Sequence, residues 1–151
     1  MPRFLELYGA RLCEETCLYP GIDALIEELA VLNIRWGVVT NKPRPYTVPL
    51  VERLPLPSPP SAIVCGDDLA EKKPHPAPVR HALDEIGVPP WSALFAGDDR
   101  RDVMAGWRAG AATVVALWGY IDAGETPATW GADAVADDPW QLGRLIAATA
   151  G

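Results

Sequence analysis

Three short stretches of this sequence concentrate groups able to hold a small anion and a hard cation. Gly97-Asp98-Asp99-Arg100-Arg101-Asp102 places three carboxylates within five residues, and Thr40-Asn41-Lys42 offers a hydroxyl and an amide. Lys73, in Lys72-Lys73-Pro74-His75-Pro76, carries an ammonium on a proline-stiffened loop. On a starting helix Asp98 and Asp102 share a face, where like charges repel unless something positive intervenes. Carboxylate oxygens in such a cluster suit Mg²⁺, which takes one or two carboxylates and keeps several waters. The same residues also suit a helix start, with Asp98 or Asp99 as N-cap and Asp102 complementing the helix dipole. Thr40 and Asn41 can donate to phosphate oxygens or form an ordinary turn. Lys73 is either a point charge for a phosphate dianion or a solvated loop lysine. His75 reads as a loop residue between prolines, with no catalytic role.

The elements that must position these groups alternate between short apolar runs and helical patterns. The sequence predicts a helix over residues 3–17, stopped at Pro20-Gly21, and another over Asp23–Leu32, where Leu25, Ile26, Leu29 and Leu32 fall at helical spacing. Strands follow at Trp36–Val39, Ala62–Cys65, Ala93–Ala96 and Ala112–Leu117, with a short one at Ala134–Ala136. Helices are expected near Tyr46–Leu54, over 77–86, over 101–109 and from Pro139 onward. Between Pro43 and Pro60 there are seven prolines, so LPLPSPP reads as a stiff surface connection. Alternating strands and helices imply an α/β fold with a doubly wound parallel sheet, whose ligands sit beyond the carboxyl ends of the strands. Thr40, Lys73 and the Asp98–Asp102 cluster all fall at such ends.

Composition narrows the partners. The 151 residues carry a formal net charge of −7, which argues against a nucleic-acid partner, since a duplex binder needs a basic face. No apolar run reaches the roughly 20 residues of a membrane-spanning helix. The start of the sequence lacks the pattern of a secretory signal, which makes the cytoplasm the expected location. Of the three cysteines, Cys13 and Cys17 are spaced to share a helix face, but the two histidines, His75 and His81, have no spacing that would complete a zinc site. Reduced, buried thiols are the expectation. The six tryptophans scatter across all element types and read as packing residues.

The segments VVTNK, KKPHP and FAGDDRRDVMAGWRAG match, in order and spacing, the second, third and fourth motifs of the haloacid dehalogenase superfamily. The chain resembles that superfamily from about Tyr19 to its end. It is most similar to the phosphoglycolate phosphatase branch with the N-acetylmuramic acid 6-phosphate phosphatases, through GVVTNKP, LFAGDDRRD and WGYIDAGETPATWGADAVADDPWQL. The resemblance implies a Mg²⁺-dependent phosphomonoesterase acting on a small organic-acid or sugar phosphate. Thr40, Asn41 and Lys73 would bind the phosphate, Lys73 and Asp102 would act in catalysis, and Asp98, Asp99 and Asp102 would hold the metal.

The family's first motif, Asp-x-Asp after the first strand, has no counterpart, because no two aspartates here are separated by a single residue. By resemblance the first of these would attack phosphorus and the second would act as general acid and base. The expectation is therefore a fragment. Residues 1–18 would be the end of a cap domain returning to the core, and 19–151 a core domain lacking its first strand. Most of the cap would also be missing, and the isolated chain would be without turnover. A second copy could fill the gap in the sheet. The competing readings are a noncatalytic remnant that keeps the fold, and a receiver-type signalling domain. A receiver meets its groups in the order acid, hydroxyl, lysine, whereas here the acids come last.

Overall fold

The computed structural model describes residues 5–7 and 18–149. Its strands are β1 (Leu5–Leu7), β2 (Gly37–Val39), β3 (Ala62–Val64), β4 (Leu94–Gly97), β5 (Ala112–Ala116) and β6 (Ala134–Ala136). The helices are α1 (Ile22–Val31), α2 (Arg44–Arg53), α3 (Ala77–Ile86), α4 (Arg100–Ala109) and α5 (Pro139–Thr149). The six strands form one sheet in the order β3-β2-β1-β4-β5-β6, and every neighbouring pair is parallel. This is the doubly wound arrangement expected from the alternation of elements.

Both faces of the sheet are covered, so its strands are apolar runs rather than alternating ones. Adjacent side chains then serve opposite layers. Val39 and Phe95 pack with Val79, Ala82, Leu83 and Ile86 of α3 and with Ala105 of α4. Val38, Leu94 and Ala96 pack on the other face with Leu25, Ile26 and Leu29 of α1 and Leu142 and Ile146 of α5. The connections from strand to helix place the chemistry-bearing loops on the rim at the strands' carboxyl ends. Among the described residues no helix is long and apolar enough to cross a membrane.

One expectation is corrected. The centre of the sheet, expected to lack its strand, is held by β1, which pairs with β4 at three positions and with β2 through Glu6 opposite Gly37. The helix expected over 3–17 is therefore replaced by strand at Leu5–Leu7. Backbone pairing explains the outcome. A vacant central slot leaves the N–H and C=O groups of two buried strands unsatisfied, and a short segment that pairs on both sides removes that cost. Tertiary demand then overrides local helical propensity. Residues 8–17, with Cys13 and Cys17, lie outside the described residues.

Candidate active site

In this strand order the chain's winding reverses between β1 and β4, the place where open α/β sheets hold ligands. Thr40 follows β2 and Asp98 follows β4, while Lys73 enters from the loop between β3 and α3. Thr40, Lys73, Asp98 and Asp102 are all buried, at 4%, 4%, 1% and 1% exposure. Such burial is unusual for lysine and aspartate, and it holds only where partners replace water.

Those partners are local. Lys73 Nζ donates to Asp102 Oδ1 at 2.6 Å and to the carbonyl of Val39 at 2.9 Å. The ammonium also lies 5.7 Å from the centre of the Phe95 ring. Because Val39 immediately precedes Thr40, the lysine's amine and the threonine sit on the same rim. The expected convergence of the hydroxyl, the cation and the acidic cluster is met.

Within the cluster the three carboxylates divide their work. Asp99 is the N-cap of α4, and its side chain accepts from the N–H of Arg101 at 2.8 Å. Asp102 completes a capping box: its Oδ2 accepts from the N–H groups of Asp98 at 3.2 Å and Asp99 at 3.1 Å. Burial pushes the Asp99 carboxyl up, but the guanidinium and backbone N–H of Arg101 outweigh it and leave the group below the usual carboxylate range. Asp98 takes neither task; its Oδ2 accepts from the N–H of Tyr120 at 2.8 Å, which fixes the carboxylate at the end of β4. Gly97 is required by this packing, since a Cβ there would lie 2.4 Å from Asp102 Oδ2. The capping reading of the sequence is met by Asp99 and Asp102, and Asp98 takes no part in the cap.

The remaining expected residues are also accounted for. Thr40 Oγ1 accepts from the N–H of Lys42 at 3.0 Å and keeps a proton that can be donated. The side chain of Asn41, expected to reach phosphate, is engaged at both polar atoms by the backbone of Lys73. His75 Nδ1 accepts from the N–H of Ala77 at 3.1 Å, a turn contact at the start of α3.

A pocket of about 20 Å³ is lined by Asn41, Lys73, Asp99, Arg101 and Asp102. Beyond Asp98 a cleft of about 200 Å³ opens between Arg100, Arg101, Tyr120, Asp122, Glu125 and Trp130. Sequence reasoning missed Arg101 and the loop after β5. Arg101 was visible inside the acidic motif, whereas nothing in the pattern of the later loop pointed to the site. Mg²⁺ would suit the donor chemistry of Asp98, a fixed hard carboxylate that lines the larger cleft. Among the described residues no group of three His, Cys, Asp or Glu side chains is placed to hold a metal, so Asp98 would be the principal protein ligand that these residues offer.

The chain is 37% identical over 142 residues to a phosphoglycolate phosphatase of Xanthomonas campestris, covering 94% of this chain and 64% of the relative. It is 36% identical over 143 residues to an N-acetylmuramic acid 6-phosphate phosphatase of Pseudomonas putida, covering 95% and 64%. The chain thus spans less than two thirds of the length of either. Among solved structures it superposes on CbbY from Rhodobacter sphaeroides in complex with phosphate, with a TM-score of 0.70 and 35% identity, over 84% of this chain and 56% of that one. Residues 1–116 match the sequence model of the haloacid dehalogenase-like hydrolases, and with the parallel sheet and the Thr–Lys–Asp rim they place the chain in that family.

Proposed function

We propose that this chain supplies the phosphate-binding and metal-binding side of a Mg²⁺-dependent phosphomonoesterase acting on a small organic-acid or sugar phosphate. The observation that carries the reading is the buried Lys73–Asp102 ion pair, anchored to Val39 beside Thr40 and one helical turn from Asp98. The similarity to phosphatases of two such substrates supports the substrate class.

In this reading the Thr40 hydroxyl donates to one phosphoryl oxygen and the Lys73 ammonium neutralises another. Asp102 keeps the ammonium in place and charged while closing the helix cap, so the cation is set before the substrate arrives. Such preorganised donors act where charge develops in the transition state, and removal of one typically costs about 10²–10³ in rate. Mg²⁺ held by Asp98 would add Lewis-acid polarisation of the phosphoryl group. The attacking carboxylate and the general acid have no source in this sequence, which lacks an Asp-x-Asp pair and reads Tyr8-Gly9-Ala10 after β1. In this reading they would have to be supplied to the chain, which is expected not to turn over by itself.

The test joins an upstream strand ending in Asp-x-Asp to this chain and measures release of inorganic phosphate from phosphoglycolate and from N-acetylmuramic acid 6-phosphate. Release that requires Mg²⁺ and disappears in Asp98→Asn is the expected result. Turnover that survives Asp98→Asn contradicts the site. The absent Asp-x-Asp pair also favours a second reading, a noncatalytic member that keeps the fold; it is selected if the joined protein binds orthophosphate and Mg²⁺ but releases none.

A further inference from the structure

Asn41 stands where a phosphate-binding amide was expected, yet its side chain faces the protein. Asn41 Nδ2 donates to the carbonyl of Lys73, and the N–H of Lys73 donates to Asn41 Oδ1, each at 3.0 Å. The two bonds close a ring between a side chain at the end of β2 and the backbone of the residue that carries the buried ammonium. A primary amide is the neutral group that both accepts and donates in this way. Aspartate would only accept, and leucine would do neither.

The surroundings of the ring are equally fixed. The N–H of Gly66 donates to the carbonyl of Lys42 at 2.9 Å, bringing the loop that follows β3 against the loop that follows β2. A Cβ on Gly66 would lie 1.9 Å from the carbonyl oxygen of Asn41, so only glycine permits that approach. On the other side Arg108 donates to the carbonyl of Pro74 at 3.3 Å, tying the same loop to α4. Lys73 is thus held at its backbone by Asn41 and at its ammonium by Val39 and Asp102. A lysine stem costs about 2 kcal/mol of rotamer freedom to immobilise. Fixing both ends makes that cost a property of the fold rather than of ligand binding.

We propose that Asn41 is a positioning residue: its side chain binds no phosphate but splints Lys73 so that the ammonium stays at the phosphate pocket. The proposal rests on the reading of Lys73 as the phosphate-neutralising cation. Its test uses the full chain and acetylation of lysine amines, followed by mass spectrometry, with exposed Lys42 and Lys72 as internal standards. Wild-type Lys73 is expected to react at least tenfold more slowly than either standard. Asn41→Leu should raise the relative labelling of Lys73 at least tenfold while the circular dichroism spectrum is kept, with Asn41→Asp in between. Unchanged Lys73 labelling in a folded Asn41→Leu chain overturns the proposal. If that variant does not fold, Asn41→Asp decides: increased labelling supports the splint and unchanged labelling refutes it. Orthophosphate is added in a separate arm. If it fails to protect wild-type Lys73 further, the phosphate reading is lost, and the splint is still judged by the Asn41 variants.

Discussion

The Lys73–Asp102 pair should behave as one energetic unit, and the two single replacements should not be equally costly. Asp102→Leu removes the carboxylate that a buried ammonium meets at 2.6 Å, leaving the Val39 carbonyl and the Phe95 ring beside it, and strips the N–H groups of Asp98 and Asp99 of their acceptor. Removing one partner of a buried pair costs about 3–5 kcal/mol, and the lost cap adds to it, so about 5 kcal/mol is expected. Lys73→Met removes the cation but leaves Asp102 accepting two backbone N–H groups, so about 3 kcal/mol is expected. The double variant removes both buried charges together, and its cost should be no more than about 5 kcal/mol, because apolar replacements of a whole buried pair are often neutral apart from the cap. The coupling is then about 3 kcal/mol of stabilisation recovered. Urea unfolding at neutral pH, followed by tryptophan fluorescence, gives all four stabilities. Additive single costs, within about 0.5 kcal/mol, would refute the reasoning that the two side chains share one buried contact.

Three further outcomes follow from particular contacts. Gly97→Ala drives a methyl group into Asp102 and should destabilise by roughly 1–3 kcal/mol, read as a lower urea midpoint with an unchanged slope. The Arg44 guanidinium holds the Asp68 carboxyl below the usual carboxylate range against the opposing effect of burial. Its folded pKa is depressed, so the stabilisation is present above the ordinary value of 3.8 and is lost as pH falls through the folded value. With Arg44 about half exposed, Asp68→Asn should cost about 1 kcal/mol or less at pH 7, shrinking in melts taken below pH 3.8. Finally, an added upstream Asp-x-Asp strand should compete with Leu5–Leu7 for the centre of the sheet. Backbone amide exchange at residues 5–7 is expected to speed up in the joined protein, and unchanged protection would mean that the added strand does not enter that slot.

Much of this molecule was legible in the sequence because its signals are local. The helix over 77–86 is bounded by Pro76 and Gly87, β4 stops before Asp98 and β6 lies between Asp133 and Asp137, while the apolar runs near Gly37, Ala62 and Ala112 announce their strands by composition. The gathering of Thr40, Lys73, Asp98 and Asp102 on one side follows from the loops beyond the strand ends, since the doubly wound fold carries every such end to one rim. What was not legible depends on partners far along the chain. Leu5–Leu7 is a strand because two distant strands need pairing, and no pattern within residues 3–17 announces that. Asn41 reads as a ligand when taken alone; only the approach of a loop 32 residues later reveals that its amide is used on Lys73. The different partners of Asp98, Asp99 and Asp102 likewise depend in part on Lys73 and Tyr120, which lie outside the motif.

The claim that Thr40, Lys73, Asp98 and Asp102 gather around one phosphate and its metal is tested most directly by titrating the chain with orthophosphate, with and without Mg²⁺, and following backbone amide signals by NMR. Saturable shifts centred on residues 40–42, 73 and 98–102, strengthened by Mg²⁺ and lost in Lys73→Met, are expected. Saturable shifts that leave those three segments untouched, or that persist unchanged in Lys73→Met, would contradict it.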